Sequence, residues 1–180
     1  MFRWVGNGLG PLTNSGMRFV ADGMLGRLAR WLRLTGHDVV YINELDLPPE
    51  KQDEFLLAQA SKGLVLLTSD LRLYRKSRRS GFKAVLIQAS KLSEQLLEVS
   101  KALPELEVDL EKSRCPVCNG ELEEAERGEV EGLVPRTVLE RQENFWRCVQ
   151  CGKIYWQGTH WRNILETLEE FRRRRNGSNP

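Results

Sequence analysis

Apolar and polar positions along the first 110 residues fall into a repeating order of short apolar runs and amphipathic stretches. Residues 17–21, 38–42, 64–68 and 84–87 have the length of strands. The third, Leu64-Val65-Leu66-Leu67-Thr68, is apolar almost throughout, as in a strand covered on both faces. Between these runs the spacing changes to threes and fours. Met24, Leu25, Leu28, Trp31, Leu32 and Thr35 form one stripe and predict a core-facing helix, with Arg27, Arg30 and Arg33 off the stripe. Gly36 stands at the position that ends a helix. Further helices are predicted over 51–61, from Ser69-Asp70 onward, and over 91–103, where Leu92, Leu96, Leu97 and Val99 are core candidates. Four strand–helix alternations predict an α/β fold with a mostly parallel sheet flanked by helices on both faces.

Beyond residue 113 the pattern changes. All four cysteines sit in two Cys-x-x-Cys knuckles, Cys115-Pro116-Val117-Cys118 and Cys148-Val149-Gln150-Cys151. The two-residue gap lets one tight turn aim both sulfurs at one ion, and four thiolates suit a tetrahedral structural Zn²⁺. Pro116, Asn119, Gly120 and Gly152 supply the turn chemistry. Disulfides are the rival, but they need an oxidising compartment and no secretory signal is visible. A small four-cysteine zinc ribbon is therefore expected over about 113–158. Leu133, Val134, Val138 and Leu139, within 130–139, fit an inserted hairpin arm. A C-terminal amphipathic helix is expected over 161–174, with Ile164, Leu165, Leu168 and Phe171 on its apolar side.

The net charge is only +2, but it is unevenly spread. Arg72, Arg75, Lys76, Arg78, Arg79 and Lys83 fall in a stretch without acids, and Arg172 to Arg175 close the C-terminal helix. Such patches on a near-neutral chain suit a polyanion, although a solvated helix face reads the same way. No apolar run approaches the roughly 20 residues that span a bilayer, and a cytoplasmic protein without a membrane partner is expected. Residues 1–16 are rich in glycine and lack periodicity, so a flexible N-terminal extension is expected there.

In an open parallel sheet, sites form beyond the carboxyl ends of the strands. Asp22 ends the first strand and Asp70 follows the third; Asp53, beside Glu54, lies near the start of the intervening helix. Clustered carboxylates repel one another unless a cation neutralises them, and Mg²⁺ or Mn²⁺ prefers such oxygen donors. A metal so held activates water and stabilises charge at phosphorus. Each acid also admits a plain structural reading, Asp22 and Asp70 as helix caps and Asp53 in a first turn. No Gly-x-Gly-x-x-Gly and no Walker lysine motif follows the first strand, which removes the main support for a nucleotide cofactor.

The run Met17-Arg18-Phe19-Val20-Ala21-Asp22-Gly23-Met24-Leu25-Gly26-Arg27-Leu28-Ala29-Arg30-Trp31-Leu32-Arg33 resembles the opening of the Mut7-C RNase domain family, a branch of the PIN-like nucleases. Leu66-Leu67-Thr68-Ser69-Asp70, the Cys-Pro-Val-Cys-Asn knuckle and the run from Cys151 to Trp161 resemble it as well. The resemblance implies a PIN-like domain over 17–110, a fused zinc ribbon over 111–162, and a helix with basic tail over 163–180. It implies RNA cleavage at a divalent metal, with Asp22, Asp70 and either Asp53 or Glu54 as the acids. Ser69 stands where the family often carries arginine, and no fourth acid follows the last strand of the sheet. Arg27, Arg30, Arg72, Arg75, Arg79 and His160 are candidate RNA contacts. His160 lies between Trp156 and Trp161 and admits packing or a phosphate contact; four thiolates already complete the zinc shell. Trp156, Tyr155 and Trp161 read either as the ribbon's small core or as stacking surfaces for unpaired bases. A non-catalytic RNA- or ribosome-associated binding module is the competing function.

Overall fold

The computed structural model describes residues 16–177. Four short strands, β1 (Arg18–Ala21), β2 (Asp38–Tyr41), β3 (Val65–Thr68) and β4 (Ala84–Leu86), form a parallel sheet in the order β2-β1-β3-β4. β1 and β3 are central and pair Phe19 with Val65 and Ala21 with Leu67, so their residues are almost wholly buried. Alternation along each strand sends the two sets of side chains to two cores. Phe19, Ala21, Val65 and Leu67 meet helices α1 (Gly26–Leu34) and α4 (Leu92–Ala102) on one face. Val20 and Leu66 meet α2 (Pro49–Ser61) and α3 (Leu71–Arg79) on the other. The expected α/β layering is present, with the helix boundaries moved by one to three residues.

Two positions of the expected first helix differ from the amphipathic reading. Met24 precedes the helix and is 82% exposed. Arg33, expected off the apolar stripe, is 1% exposed. Its guanidinium finds acceptors where an apolar side chain would find none. It forms a bidentate pair with Glu44, at 2.8 and 2.6 Å, and donates twice to the Val39 carbonyl, at 3.0 and 2.7 Å. Each donor direction of the fork is used, which is what a buried guanidinium requires.

His37 is buried at the start of β2. The Met17 amide can only donate, so Nδ1 is an acceptor at 3.1 Å and Nε2 carries the proton it gives to the Glu107 carbonyl at 2.7 Å. Burial disfavours the cation and lowers its pKa, against smaller opposing effects of Glu107.

The second sheet is antiparallel, β5 (Leu122–Ala125), β6 (Phe145–Cys148) and β7 (Ile154–Trp156), in that order. Residues 130–139 do not form a hairpin arm. They carry the end of a single-turn helix, α5 (Arg127–Val130), and most of α6 (Arg136–Arg141). Glu126 and Glu129 form a reciprocal capping box that starts the first, and Pro135 precedes the second. Val130, Val134 and Leu139 then pack on Phe145. The apolar residues recur at helical spacing there, and the caps decide the outcome.

The last helix, α7 (Thr159–Gly177), leaves the ribbon and packs on α4, with Phe171 in the main core. Lys91–Glu170 at 2.7 Å and Arg174–Glu94 at 3.2 Å bridge the two helices. Arg175 donates to the carbonyls of Leu106 and Pro104. Two of the four tail arginines expected to serve a polyanion are thus engaged within the protein, while Arg172 and Arg173 are exposed.

Candidate active site and cysteine cluster

β1 and β3 are adjacent and parallel, so their carboxyl ends lie side by side. Asp22 and Asp70 therefore share one edge, and Thr68 joins them. The Thr68 hydroxyl donates to Asp22 Oδ2 and accepts from the Asp70 amide at 2.9 Å. Asp22 also accepts from the Ser69 amide at 2.8 Å and, through Oδ1, from the Met24 amide at 3.0 Å. The carboxylate is 8% exposed and held by three donors, an arrangement that fixes its orientation. It does not cap α1, which has no side-chain cap.

Asp70 is exposed and does cap α3. Its Oδ1 accepts from the amides of Arg72 at 2.6 Å and Leu73 at 3.1 Å. The edge thus pairs a rigid, buried acid with an exposed one. Two exposed apolar side chains, Met24 and Leu71, follow these acids in the chain.

α2 leaves from the same carboxyl edge, because it follows β2, and it starts at Pro49 rather than near Lys51. Asp53 is then its fifth residue, beyond the first turn, and both Asp53 and Glu54 are exposed. Among the described residues, no three acidic residues bring carboxylate oxygens within 4.8 Å of one another; only the cysteine quartet groups its donor atoms so closely. At the end of β4, where no acid follows in sequence, α4 returns one through space. Glu98 accepts from the amides of Gln88 at 3.0 Å and Ala89 at 3.2 Å. A glutamate one turn inside a helix gives no sequence signal of such a role.

The four cysteine sulfurs converge and none is disulfide-bonded. Cys118 and Cys148 lie 3.4 Å apart, Cys115 and Cys151 3.8 Å. Tetrahedral Zn–S bonds of about 2.3 Å place sulfurs about 3.8 Å apart, so the donor set fits zinc. Each knuckle turns through a left-handed residue directly after its second cysteine, Asn119 at φ 67° and Gly152 at φ 70°. Gly120 cannot carry a side chain: a Cβ there would stand 2.9 Å from the Cys148 sulfur. Burial pushes the Cys118 thiol up to about 12 and raises Cys148. Cys115 is buried too, but the Tyr155 hydroxyl at 3.0 Å and the amides of Cys118 and Val117 draw it down to about 7. Four thiolates in such a space need a cation among them.

The first knuckle is docked on the parallel sheet. Asn119 Oδ1 accepts from the Val39 amide at 3.2 Å, and its Nδ2 donates to Asp38 at 2.6 Å. Arg33 donates to the carbonyls of Pro116 and Val117, both at 3.3 Å, and the Arg114 amide donates to the Arg33 carbonyl at 2.8 Å.

The expected basic contacts occupy two surfaces. Arg72, Arg75 and Arg79 are exposed on α3, after Asp70. Arg27, Arg30 and His160 lie on a groove between α1 and the ribbon. His160 is exposed, so it is not a core histidine, and it is not grouped with the sulfurs. Among the described residues, no helix is long and apolar enough to cross a membrane.

A parallel sheet carrying two acids at its carboxyl edge, joined to a four-cysteine ribbon, defines a ribonuclease-type domain when set against known families. The chain belongs to the Mut7-C RNAse domain family, whose model matches residues 17–168. No curated protein and no solved structure matches it.

Proposed function

We propose that the protein is a divalent-metal-dependent ribonuclease that hydrolyses RNA phosphodiester bonds at the carboxyl edge of its parallel sheet. The observation that carries this reading is Thr68, which ties Asp22 and Asp70 to each other at the ends of adjacent strands. Asp22 and Asp70 offer hard oxygen donors for Mg²⁺ or Mn²⁺, ions that commonly keep several waters and use one or two carboxylates. Asp53, or Glu54, both exposed on α2, would be the further carboxylate available to such an ion. A divalent ion there supplies a Lewis acid for the phosphoryl oxygen and a means of activating water.

The protein's own part is to position. Three donors hold Asp22 in one orientation, so the charge does not have to be assembled at each turnover. Arg72, Arg75 and Arg79 continue from Asp70 along α3 and meet the phosphate backbone. Arg27, Arg30 and His160 do so on the ribbon side. Structural zinc in the Cys115, Cys118, Cys148 and Cys151 set holds the ribbon that aids RNA binding. Free thiols as zinc ligands suit a reducing compartment, in keeping with a cytoplasmic protein.

The experiment is RNA cleavage by the full chain with Mg²⁺ or Mn²⁺, with and without chelator, beside Asp70→Asn. Asparagine caps a helix about as well as aspartate, so this variant keeps its fold and removes the charge. Cleavage should fall by about 100-fold or more, the scale of losing a charge-stabilising group. Full activity in Asp70→Asn would overturn the proposal. Binding without cutting under every metal would favour the RNA-binding module.

A further inference from the structure

We propose that the groove between α1, α6 and the β7–α7 corner seats an unpaired RNA strand, gripping it by phosphate contacts and base stacking on its way to Asp22. The assignment of RNA rests on the ribonuclease reading; the preference for an unpaired strand rests on the groove itself.

The groove encloses about 770 Å³. α1 gives Arg27 and Arg30, α6 gives Arg141, and the turn before β7 gives Lys153. No carboxylate lines it, although the chain holds 25 acids against 27 lysines and arginines. Among the described residues, none of these four cations is in an ion pair. A surface of that size without a single acid favours an anion along its whole length.

Trp31, Trp156 and Trp161 also line it, each half-buried. A half-buried indole leaves part of its ring to a ligand. Cations interleaved with open aromatic surfaces match a chain of phosphates and bases: the backbone follows the charges, and bases with free faces stack on the rings. A duplex turns its base faces inward and offers nothing to the indoles. An acidic peptide would meet the cations but leave the rings without a partner. An apolar partner would strand four charges away from water.

Helix α1 runs from the acid edge to the groove. Arg27 lies in the first turn of α1, and the Leu25 amide just before that helix donates to the Asp22 carbonyl at 3.1 Å. From Arg27 to Leu34 the helix gives about 10 Å of wall, at about 1.5 Å per residue. Asn119 and Arg33 fix the ribbon against α1 and β2, so the two walls are held before any strand arrives.

The test is binding of a labelled single-stranded RNA by the full chain carrying Asp70→Asn, which leaves the strand intact. Trp161→Ala should weaken binding by about 5- to 150-fold, the effect of losing one base stack. Trp161→Phe should restore most of it, which separates stacking from misfolding. Arg141→Ala with Lys153→Ala, both at exposed positions, should flatten the log–log salt dependence by about 0.7 for each phosphate no longer met. Lys62→Ala, at the far end of α2, should change nothing. A duplex of the same sequence should bind at least about 10-fold more weakly, whereas a DNA strand should bind alongside RNA, because these contacts do not read the 2′-hydroxyl.

Equal affinity for the duplex or for poly-glutamate would overturn the assignment. So would parental binding by Trp161→Ala and by the double variant. If those variants bind normally while the parent chain still cuts RNA, the groove fails and the nuclease reading stands. If the parent grips the strand without cutting it, and the variants lose that grip, the groove stands and the nuclease reading fails.

Discussion

The Asn119 side chain donates to Asp38 Oδ1 at 2.6 Å and so binds the first cysteine knuckle to the outer strand of the parallel sheet. Asn119 reaches that strand because it takes the left-handed turn that closes the knuckle. The order of the cysteine cluster and that of β2 are thereby linked through one residue.

Cys118→Ser should therefore disturb more than the ribbon. Losing a ligand frees the knuckle, and Arg33 then loses the Pro116 and Val117 carbonyls. The melting temperature of the whole chain should fall, and a zinc chelator should lower it in the parent but have little further effect in Cys118→Ser. Calorimetry checks this; a melt of the α/β domain unaltered by either treatment would show the ribbon to be energetically separate.

Asp22→Asn should abolish cleavage and also cost stability, unlike Asp70→Asn. An amide group placed in the Asp22 site turns donors toward the Thr68 hydroxyl or the Ser69 and Met24 amides. A buried donor left unsatisfied costs about 1–3 kcal/mol. Denaturant unfolding of the two variants side by side measures the difference.

Stability should fall as pH drops below about 6.5, the ordinary histidine value, because His37 is held neutral in the folded chain. Between the lowered folded pKa and that value, the unfolded chain binds a proton that the folded chain does not, so acid favours unfolding. Above about 6.5 the contribution is fully present. The slope from one such group approaches about 1.4 kcal/mol per pH unit. Denaturation of His37→Gln across the same window should lack that component, and an identical slope in the variant would assign it elsewhere.

Neutralising Arg75 and Arg79 together should weaken RNA binding for all sequences alike. Both are exposed, and neither has an ion-pair partner among the described residues. Removing one cation from a phosphate lowers the log–log salt slope by about 0.7 on single strands. An unchanged slope would leave Arg79 as a favourable charge at the C-terminal end of α3 and Arg75 as a solvated charge on its surface.

Local pattern alone determined the alternating strands and helices, because a strand's period of two and a helix's of 3.6 are written into neighbouring residues. It also determined the four-cysteine set, since Cys-x-x-Cys geometry is a property of one turn, and the placing of Asp22 and Asp70 at strand ends. Tertiary structure decided what depends on residues far apart in the chain. Arg33 reads as a solvated arginine until Glu44, Val39 and the first cysteine knuckle close around it. Residues 130–139 read as a hairpin until a capping box and their packing on Phe145 make them helical. The carboxylate-free groove exists only once α7 returns the chain from the ribbon to α4 and brings the Trp156–Trp161 corner against α1. Periodicity encodes which face is buried; it carries no record of which distant group will meet it.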